Sequence, residues 1–177
     1  MKIGLFFGSF NPIHHGHLMV ASFIANHTDL QQVWLVVSPQ NPLKKKHTLL
    51  ADYHRLALVN EAIYNNSKLK ASDIEFKLPI PSYTTTTLAY LKEKHPGNTF
   101  HLIVGEDNLR TLHKWKNYES LLEKHQIYVY PRAITEAEIK EGLEQTSVEY
   151  RAHKNIHFCE DVPVMKISSS FIRNQIK

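Results

Sequence analysis

The chain has 177 residues, of which 42% are hydrophobic and 21% charged; this composition excludes a disordered chain and predicts a single domain, residues 1–177, with a sizeable core. The net charge of +4 favours anionic partners such as nucleotide phosphates, although it also aids solubility. The basic residues form no nucleic-acid-binding motif and no apolar run is long enough to cross a bilayer, so we expect neither a nucleic acid nor a membrane as partner.

Strands and helices are predicted to alternate along the chain. Short apolar or alternating runs predict strands at residues 3–7, 33–37, 74–78, 100–104, 127–130 and 156–158. Amphipathic or capped segments predict helices at residues 16–27, 52–63, 84–95, 117–124, 135–145 and 168–175. Asp52 is expected to cap the second helix, and residues 74–78 to form an outer strand. The alternation predicts an α/β fold, a doubly wound parallel sheet with helices on both faces.

The loop after the first strand carries the strongest chemical signal. Ligands of open parallel sheets bind at the carboxyl ends of the strands, and here that end is followed by a turn and the run His14-His15-Gly16-His17. His14 and His17 straddle the predicted start of a helix, where free N–H groups favour anions and imidazoles can donate to phosphoryl oxygens. Gly16 removes a side chain that would crowd the phosphates. The alternative is that both histidines are surface residues beside a helix cap.

The last predicted helix carries a second signal. Ser168 is a good N-cap, the N–H groups that follow it can bind phosphate, and Arg173 can add a guanidinium to a triphosphate. Taken alone, the segment is equally well explained as an ordinary capped helix with one exposed arginine.

The two segments together resemble a known superfamily. Residues 14–17 resemble the (His/Thr)-x-Gly-His signature of nucleotidyltransferases, and residues 167–173 resemble their Ile-Ser-Ser-Thr/Ser-x-x-Arg signature. The resemblance implies a Rossmann-like fold and an enzyme whose catalytic residues are His14, His17 and Arg173. It implies an ATP site formed by Gly8, Ser9, Phe10, His14, Gly16, His17, Gly105, Asp107, Ile167, Ser168, Ser170 and Arg173.

The middle of the chain resembles one branch, the nicotinate-nucleotide adenylyltransferases. Residues 82–88 are similar to its Ser-Tyr-Thr-x-x-Thr-Leu segment, and residues 105–107 with Trp115 are similar to its Gly-x-Asp and later Trp. The resemblance implies that Gly105 and Asp107 hold the ribose of ATP and that Trp115 stacks on a pyridine ring. It implies an acceptor site formed by Lys44, Tyr83, Thr84, Trp115 and Lys116. A capping role for Asp107 and a core role for Trp115 are the alternatives.

Several positions depart from that branch, and two of them bear on the acceptor. Asn11 stands where the branch often has aspartate, which is similar to enzymes that use the amide nucleotide. Leu43 stands where a histidine is frequent, so Lys44 or a neighbouring lysine is expected to neutralise the acceptor phosphate.

The activity implied is transfer of AMP from ATP to nicotinate mononucleotide, with Mg²⁺ held mainly by the ATP phosphates and no dedicated metal ligands. Phosphopantetheine adenylyltransferase and a non-catalytic, nucleotide- or nucleic-acid-binding regulator are the alternatives. The N-terminus shows no secretory signal and Cys159 is the only cysteine, so a cytoplasmic location is expected. The oligomeric state is left open.

Overall fold

A computed structural model describes residues 1–39 and 50–176 of the chain. Its centre is a six-stranded parallel sheet with the strand order β3-β2-β1-β4-β5-β6. The strands are β1 (Lys2–Gly8), β2 (Gln32–Val37), β3 (Leu69–Ser72), β4 (Thr99–Gly105), β5 (Ile127–Tyr130) and β6 (Ile156–Phe158). The α-helices are α1 (His15–His27), α2 (Asp52–Ile63), α3 (Thr84–Lys94), α4 (Glu106–Arg110), α5 (Tyr118–Lys124), α6 (Glu136–Lys140), α7 (Thr146–Tyr150) and α8 (Ser169–Gln175).

Helices cover both faces of the sheet, which confirms the predicted doubly wound architecture. On one face, Val20 and Ile24 of α1 and Val59 of α2 pack against alternate residues of the strands. On the other face, Leu88 and Leu91 of α3 belong to the second apolar cluster, which α4 and α5 complete. Central strands buried on both faces are apolar along their whole length, which explains why their sequences were recognisable.

The third strand lies earlier in the chain than predicted. Residues 74–78 were expected to be a strand, but β3 is Leu69–Ser72, and Ile74–Lys77 is a 3-10 helix. The apolar–polar alternation is misleading here because Glu75, expected to face outward, is only 2% exposed. Its carboxylate accepts a hydrogen bond from the Thr87 hydroxyl at 2.9 Å. The N–H groups of Phe76 and Leu78 donate within the turn, to the carbonyl oxygens of Asp73 and Glu75, instead of to a neighbouring strand.

Two helix predictions also need correction. The helix expected at residues 135–145 ends early: α6 stops before Gly142, whose φ of +71° is left-handed, and a 3-10 helix at Leu143–Gln145 precedes α7. A glycine in this conformation is a common helix terminator. Asp52 is the first residue of α2 rather than its cap, a position that Ala51 takes.

The topology creates a crevice between β1 and β4. From β1 the chain proceeds to β2 and β3 on one side, and β4, β5 and β6 follow on the other. The chain therefore leaves β1 and β4 towards opposite faces of the sheet. The carboxyl ends of these two strands border an open space. No helix within residues 1–39 and 50–176 is both long and apolar enough to span a membrane.

Candidate active site

The loop between β1 and α1 forms the floor of the crevice. Phe10 has a left-handed φ of +45° and is 1% exposed, and its ring packs over Gly8. A Cβ at Gly8 would lie 2.9 Å from that ring. The packing of the Phe10 ring therefore requires glycine at this position, a reason that local sequence does not reveal.

His14 and His17 cap α1 together. Nδ1 of His14 accepts a hydrogen bond from the Gly16 N–H at 3.1 Å, and Nδ1 of His17 accepts one from the His14 N–H at 3.2 Å. Because both Nδ1 atoms are acceptors, the proton of each neutral ring resides on Nε2. Burial lowers the pKa of His14, and the nearby Arg132 charge lowers it further. The rings stack with centroids 3.7 Å apart and so supply two parallel N–H donors.

The C-terminal motif contacts this loop across the sequence. Ser168 caps α8 by accepting from the Phe171 N–H at 3.1 Å. The Ser169 hydroxyl donates to the carbonyl oxygen of Pro12 at 2.8 Å. Arg173 donates from Nη1 to the carbonyl oxygen of Asn11 at 2.6 Å and from Nη2 to the Ser170 hydroxyl at 3.0 Å. The two motifs that the sequence singled out therefore form one surface.

A polar cavity of about 440 Å³ opens on that surface. Eleven of the twelve residues predicted to bind ATP line it: Gly8, Ser9, Phe10, His14, Gly16, His17, Asp107, Ile167, Ser168, Ser170 and Arg173. The twelfth, Gly105, is the N-cap of α4. It does not line the cavity but lies directly behind Asp107, with which an added Cβ would collide.

Gly16 is closely enclosed within this cavity. A Cβ there would lie 2.9 Å from Cε1 of His14 and 3.2 Å from Cγ2 of Ile167. A larger residue would thus push the first histidine and the C-terminal motif apart, and the crowding of phosphates by a side chain here stays a prediction.

A second cavity of about 310 Å³ adjoins the first. It is lined by four of the five residues predicted to bind the acceptor, Tyr83, Thr84, Trp115 and Lys116. The fifth, Lys44, lies outside the described residues, as do Lys45 and Lys46. The Lys116 ammonium lies 4.7 Å from the centre of the Tyr83 ring.

Trp115 packs against the core and also lines a cavity, while its stacking on a pyridine ring stays a prediction. Its half-buried ring packs against the apolar cluster below α3 and also lines the second cavity. Nε1 of Trp115 is buried and has no hydrogen-bond partner among residues 1–39 and 50–176.

Asn11 lines the first cavity rather than the second. The residue is 2% exposed, and its Oδ1 accepts a hydrogen bond from the Leu50 N–H at 3.0 Å. Its carbonyl oxygen accepts from Arg173. The Asn11 side chain, which is the point of similarity to enzymes that use the amide nucleotide, therefore holds the loop in place.

Several lining residues escaped the sequence reasoning. Tyr130 and Arg132 border the first cavity at the end of β5, and Nε of Arg132 lies 4.0 Å from Oδ1 of Asp107. Glu75 borders the second cavity. Burial raises the pKa of the Glu75 carboxyl. Hydrogen bonds to the carboxyl, including the one from Thr87, lower its pKa but do not cancel the effect of burial. The position of Arg132 just after the carboxyl end of β5 was a signal that could have identified it. The other loops predicted to bind ligands lie at this same edge of the sheet.

The donor set does not favour a resident metal. Among the described ranges, 1–39 and 50–176, no group of three or more histidine, cysteine, aspartate or glutamate side chains is arranged to hold a metal ion. The first cavity instead presents imidazole, hydroxyl and guanidinium groups, with Asp107 as a carboxylate on its wall.

The two cavities share Phe7, Gly8, Ser9 and Asn108 as a common wall. A model of the cytidylyltransferase-like family matches residues 5–175, so the fold and this paired site define a nucleotidyltransferase.

The chain also resembles individual proteins along its whole length. It is 57% identical over 177 residues to a probable nicotinate-nucleotide adenylyltransferase of Flavobacterium johnsoniae, covering all of this chain and 87% of that protein. It is 49% identical to the protein of the same description from Cytophaga hutchinsonii, covering all of this chain and 86% of the relative. The chain therefore belongs to the nicotinate-nucleotide adenylyltransferase family.

A solved structure supports the fold. The Plasmodium falciparum nicotinic acid mononucleotide adenylyltransferase complexed with NaAD superposes with a TM-score of 0.75 at 24% identity, covering 98% of this chain and 82% of the other.

Proposed function

We propose that the protein transfers AMP from ATP to nicotinate mononucleotide, giving nicotinate adenine dinucleotide and pyrophosphate, a step of NAD biosynthesis. The observation that carries the proposal is the pair of adjoining cavities. One is lined by phosphate-binding groups and the other by an indole ring and the start of a helix. A reaction between two bound anions needs such a pair of sites, with the reacting atoms meeting at the common wall.

In the first cavity, we assign the α- and β-phosphates to His14 and His17, whose Nδ1 atoms serve the helix cap and whose Nε2 atoms are assigned as the donors. Ser168, Ser170 and Arg173 hold the β- and γ-phosphates. We assign the ribose of ATP to Asp107, whose carboxylate can accept from two hydroxyls. Arg132 adds a cation beside it. Mg²⁺ would bind through the phosphates, because the side chains here are mainly donors and cations, and would neutralise part of the ATP charge.

The reaction needs no covalent enzyme intermediate. An oxygen of the acceptor phosphate forms a bond to the α-phosphorus of ATP, while the bond from that phosphorus to the bridging oxygen of pyrophosphate breaks. Negative charge grows on the departing pyrophosphate. Donors that are already fixed by the His14–His17 cap can stabilise this charge without rearranging.

The acid form of the acceptor fits the second cavity better than the amide. Thr84 is the first residue of α3, and N–H groups in the first turn of a helix have no partner within it. A carboxylate accepts from such donors on both oxygens, whereas an amide presents an NH₂ donor to one of them. Asn11, the residue similar to that of enzymes using the amide nucleotide, lines the other cavity, which supports the preference for the acid.

A pyrophosphate-release assay with a panel of acceptors tests the proposal. Turnover should require both ATP and nicotinate mononucleotide, with kcat/KM on the order of 10,000-fold higher than for nicotinamide mononucleotide. Faster turnover of phosphopantetheine would instead identify that acceptor, and ATP binding without turnover would identify a regulator. Equal kcat/KM for the acid and the amide would refute the donor-pair explanation.

Two further expectations concern the setting of the enzyme. We propose that it works in the cytoplasm, since a chain with one cysteine needs no oxidising compartment. We expect no salt-sensitive binding to DNA or RNA, which a filter-binding measurement at two ionic strengths would detect.

A further inference from the structure

Arg55 of α2 is, among residues 1–39 and 50–176, the largest side chain that is completely buried. Arginine is almost never fully buried unless its charge and its N–H groups are matched by partners. Arg55 lines neither cavity, so direct contact with a substrate does not explain its position. The question is what this enclosed guanidinium holds.

Its partners come from three separate segments of the chain. Nη1 of Arg55 donates to the carbonyl oxygens of Ser9 at 2.5 Å and Ser38 at 2.9 Å. Nε donates to the carbonyl oxygen of Leu50 at 3.0 Å. Nη2 pairs with Oδ1 of Asp52 at 2.5 Å, a carboxylate whose side chain is 42% exposed. Four of the five N–H donors of the guanidinium are thus used.

These carbonyl groups belong to the segments that border the cavities. Ser9 directly follows β1 and lines both cavities, and Ser38 follows β2 and lines the acceptor cavity. The Ser38 N–H also donates to the Gly8 carbonyl oxygen at 2.9 Å. From the interior of the protein, Arg55 therefore fixes the separation between the loop after β1 and the end of β2.

The same guanidinium is connected, through Leu50 and Asn11, to the first cavity, the proposed ATP site. It holds the carbonyl of Leu50, and the N–H of that residue donates to the Asn11 side chain. Asn11 is in turn the residue whose carbonyl oxygen receives Arg173. A shift of Arg55 would thus be transmitted to both groups of ligand-binding residues.

We propose that Arg55 is a positioning residue for AMP transfer: it holds the wall shared by the two cavities in the geometry at which the acceptor phosphate can reach the α-phosphorus of ATP. This proposal rests on the proposed function. The role requires a planar group that donates in several fixed directions, which lysine, a point charge with three donors on one atom, cannot reproduce.

Arg55→Lys is the main test, because it keeps the buried charge but loses the fork. A misplacement of about 1 Å can lower the rate about 100-fold, so kcat should fall by about that factor. The KM values for ATP and the acceptor should stay within about 3-fold, since the lining side chains remain. Arg151→Lys is the matched control. Its guanidinium is 46% exposed, pairs with Glu160 and lies at the β6 edge, so its kinetics should be unchanged.

Chemical rescue separates positioning from general stability. In Arg55→Ala, added guanidinium ion should restore part of kcat by occupying the vacated space, whereas urea at equal concentration, which lacks the charge, should not. A structural defect alone would not show this difference between the two additives.

The outcomes decide as follows. A folded Arg55→Lys enzyme with normal kcat, or with raised KM values and unchanged kcat, overturns the proposal. If that variant does not fold, Asp52→Ala, which removes the Oδ1 acceptor of Nη2, decides in its place: a lower kcat at constant KM supports positioning, and unchanged kinetics overturn it. The acceptor used is the one that wild type turns over, so failure of the proposed function appears in wild type and failure of this inference only in the variants.

Discussion

Replacing His17 by two different amides would separate its two roles. The Oδ1 atom of asparagine can take the place of Nδ1 and accept from the His14 N–H, which lies 3.2 Å from it in the native enzyme. Asparagine, however, has no donor at the position of Nε2. Glutamine reaches that position with its NH₂ group but leaves the cap without its acceptor. We therefore expect His17→Asn to be stable and inactive, and His17→Gln to be less stable and more active.

The magnitudes follow from the contacts. Loss of one donor to developing charge lowers kcat about 100- to 1000-fold, or about 2.7–4 kcal/mol. Loss of a cap lowers the free energy of unfolding by about 1 kcal/mol, which corresponds to about 2–4 °C in Tm for a domain of this size. Pyrophosphate release and thermal unfolding measure the two effects. A folded His17→Asn enzyme with near-normal kcat would refute the donor assignment.

Further predictions concern Arg173, His101 and Glu75. Arg173→Ala should raise the KM for ATP more than that for the acceptor, and Arg173→Lys should recover only part of it because the fork is lost; an equal rise in both KM values would count against the assignment. Burial lowers the pKa of His101 from 6.5 to about 4, so protonation favours the unfolded chain, and the free energy of unfolding should decrease as the pH falls from about 6.5 towards 4. Urea denaturation should show a weaker decrease for His101→Asn, and an identical decrease would contradict the prediction. Because burial raises the pKa of Glu75, its ionised form disfavours folding, so stability relative to Glu75→Gln should decrease as the pH rises above 4.5; a pH-independent difference in urea denaturation would refute this.

Much of the fold was visible in the sequence because the central strands are buried on both faces. Such strands, β1 and β4 among them, are continuous apolar runs, and cap residues such as Ser168 mark helix starts. The edge strand β3, Leu69–Ser72, has only four residues, of which the first and last are buried and the middle two are exposed or partly exposed, and it gave no signal. The neighbouring run at residues 74–78 had the better strand pattern but contains the buried Glu75.

The sequence indicated many of the residues that line the cavities, but it did not indicate the buried charged residues around them or the lining residue Arg132. Short motifs identify loops because their chemistry and spacing are local, as for His14 and His17. Arg55 and Glu75 look like ordinary charged positions of surface elements. Their burial depends on carbonyl and hydroxyl partners from other segments, Ser9 and Thr87 among them, and such pairings cannot be read from local spacing.

The common wall of the two cavities has a kinetic consequence. With the substrate sites proposed above, a dinucleotide product formed across Gly8 and Ser9 would occupy both cavities and would have to leave both before either substrate could return. It should therefore inhibit competitively against ATP and against the acceptor. A synthetic inhibitor that joins a ring ligand to a nucleotide by a short linker would exploit the same geometry, because its second half binds at an effective concentration in the millimolar range. Such a linker needs to be no longer than the diphosphate it replaces.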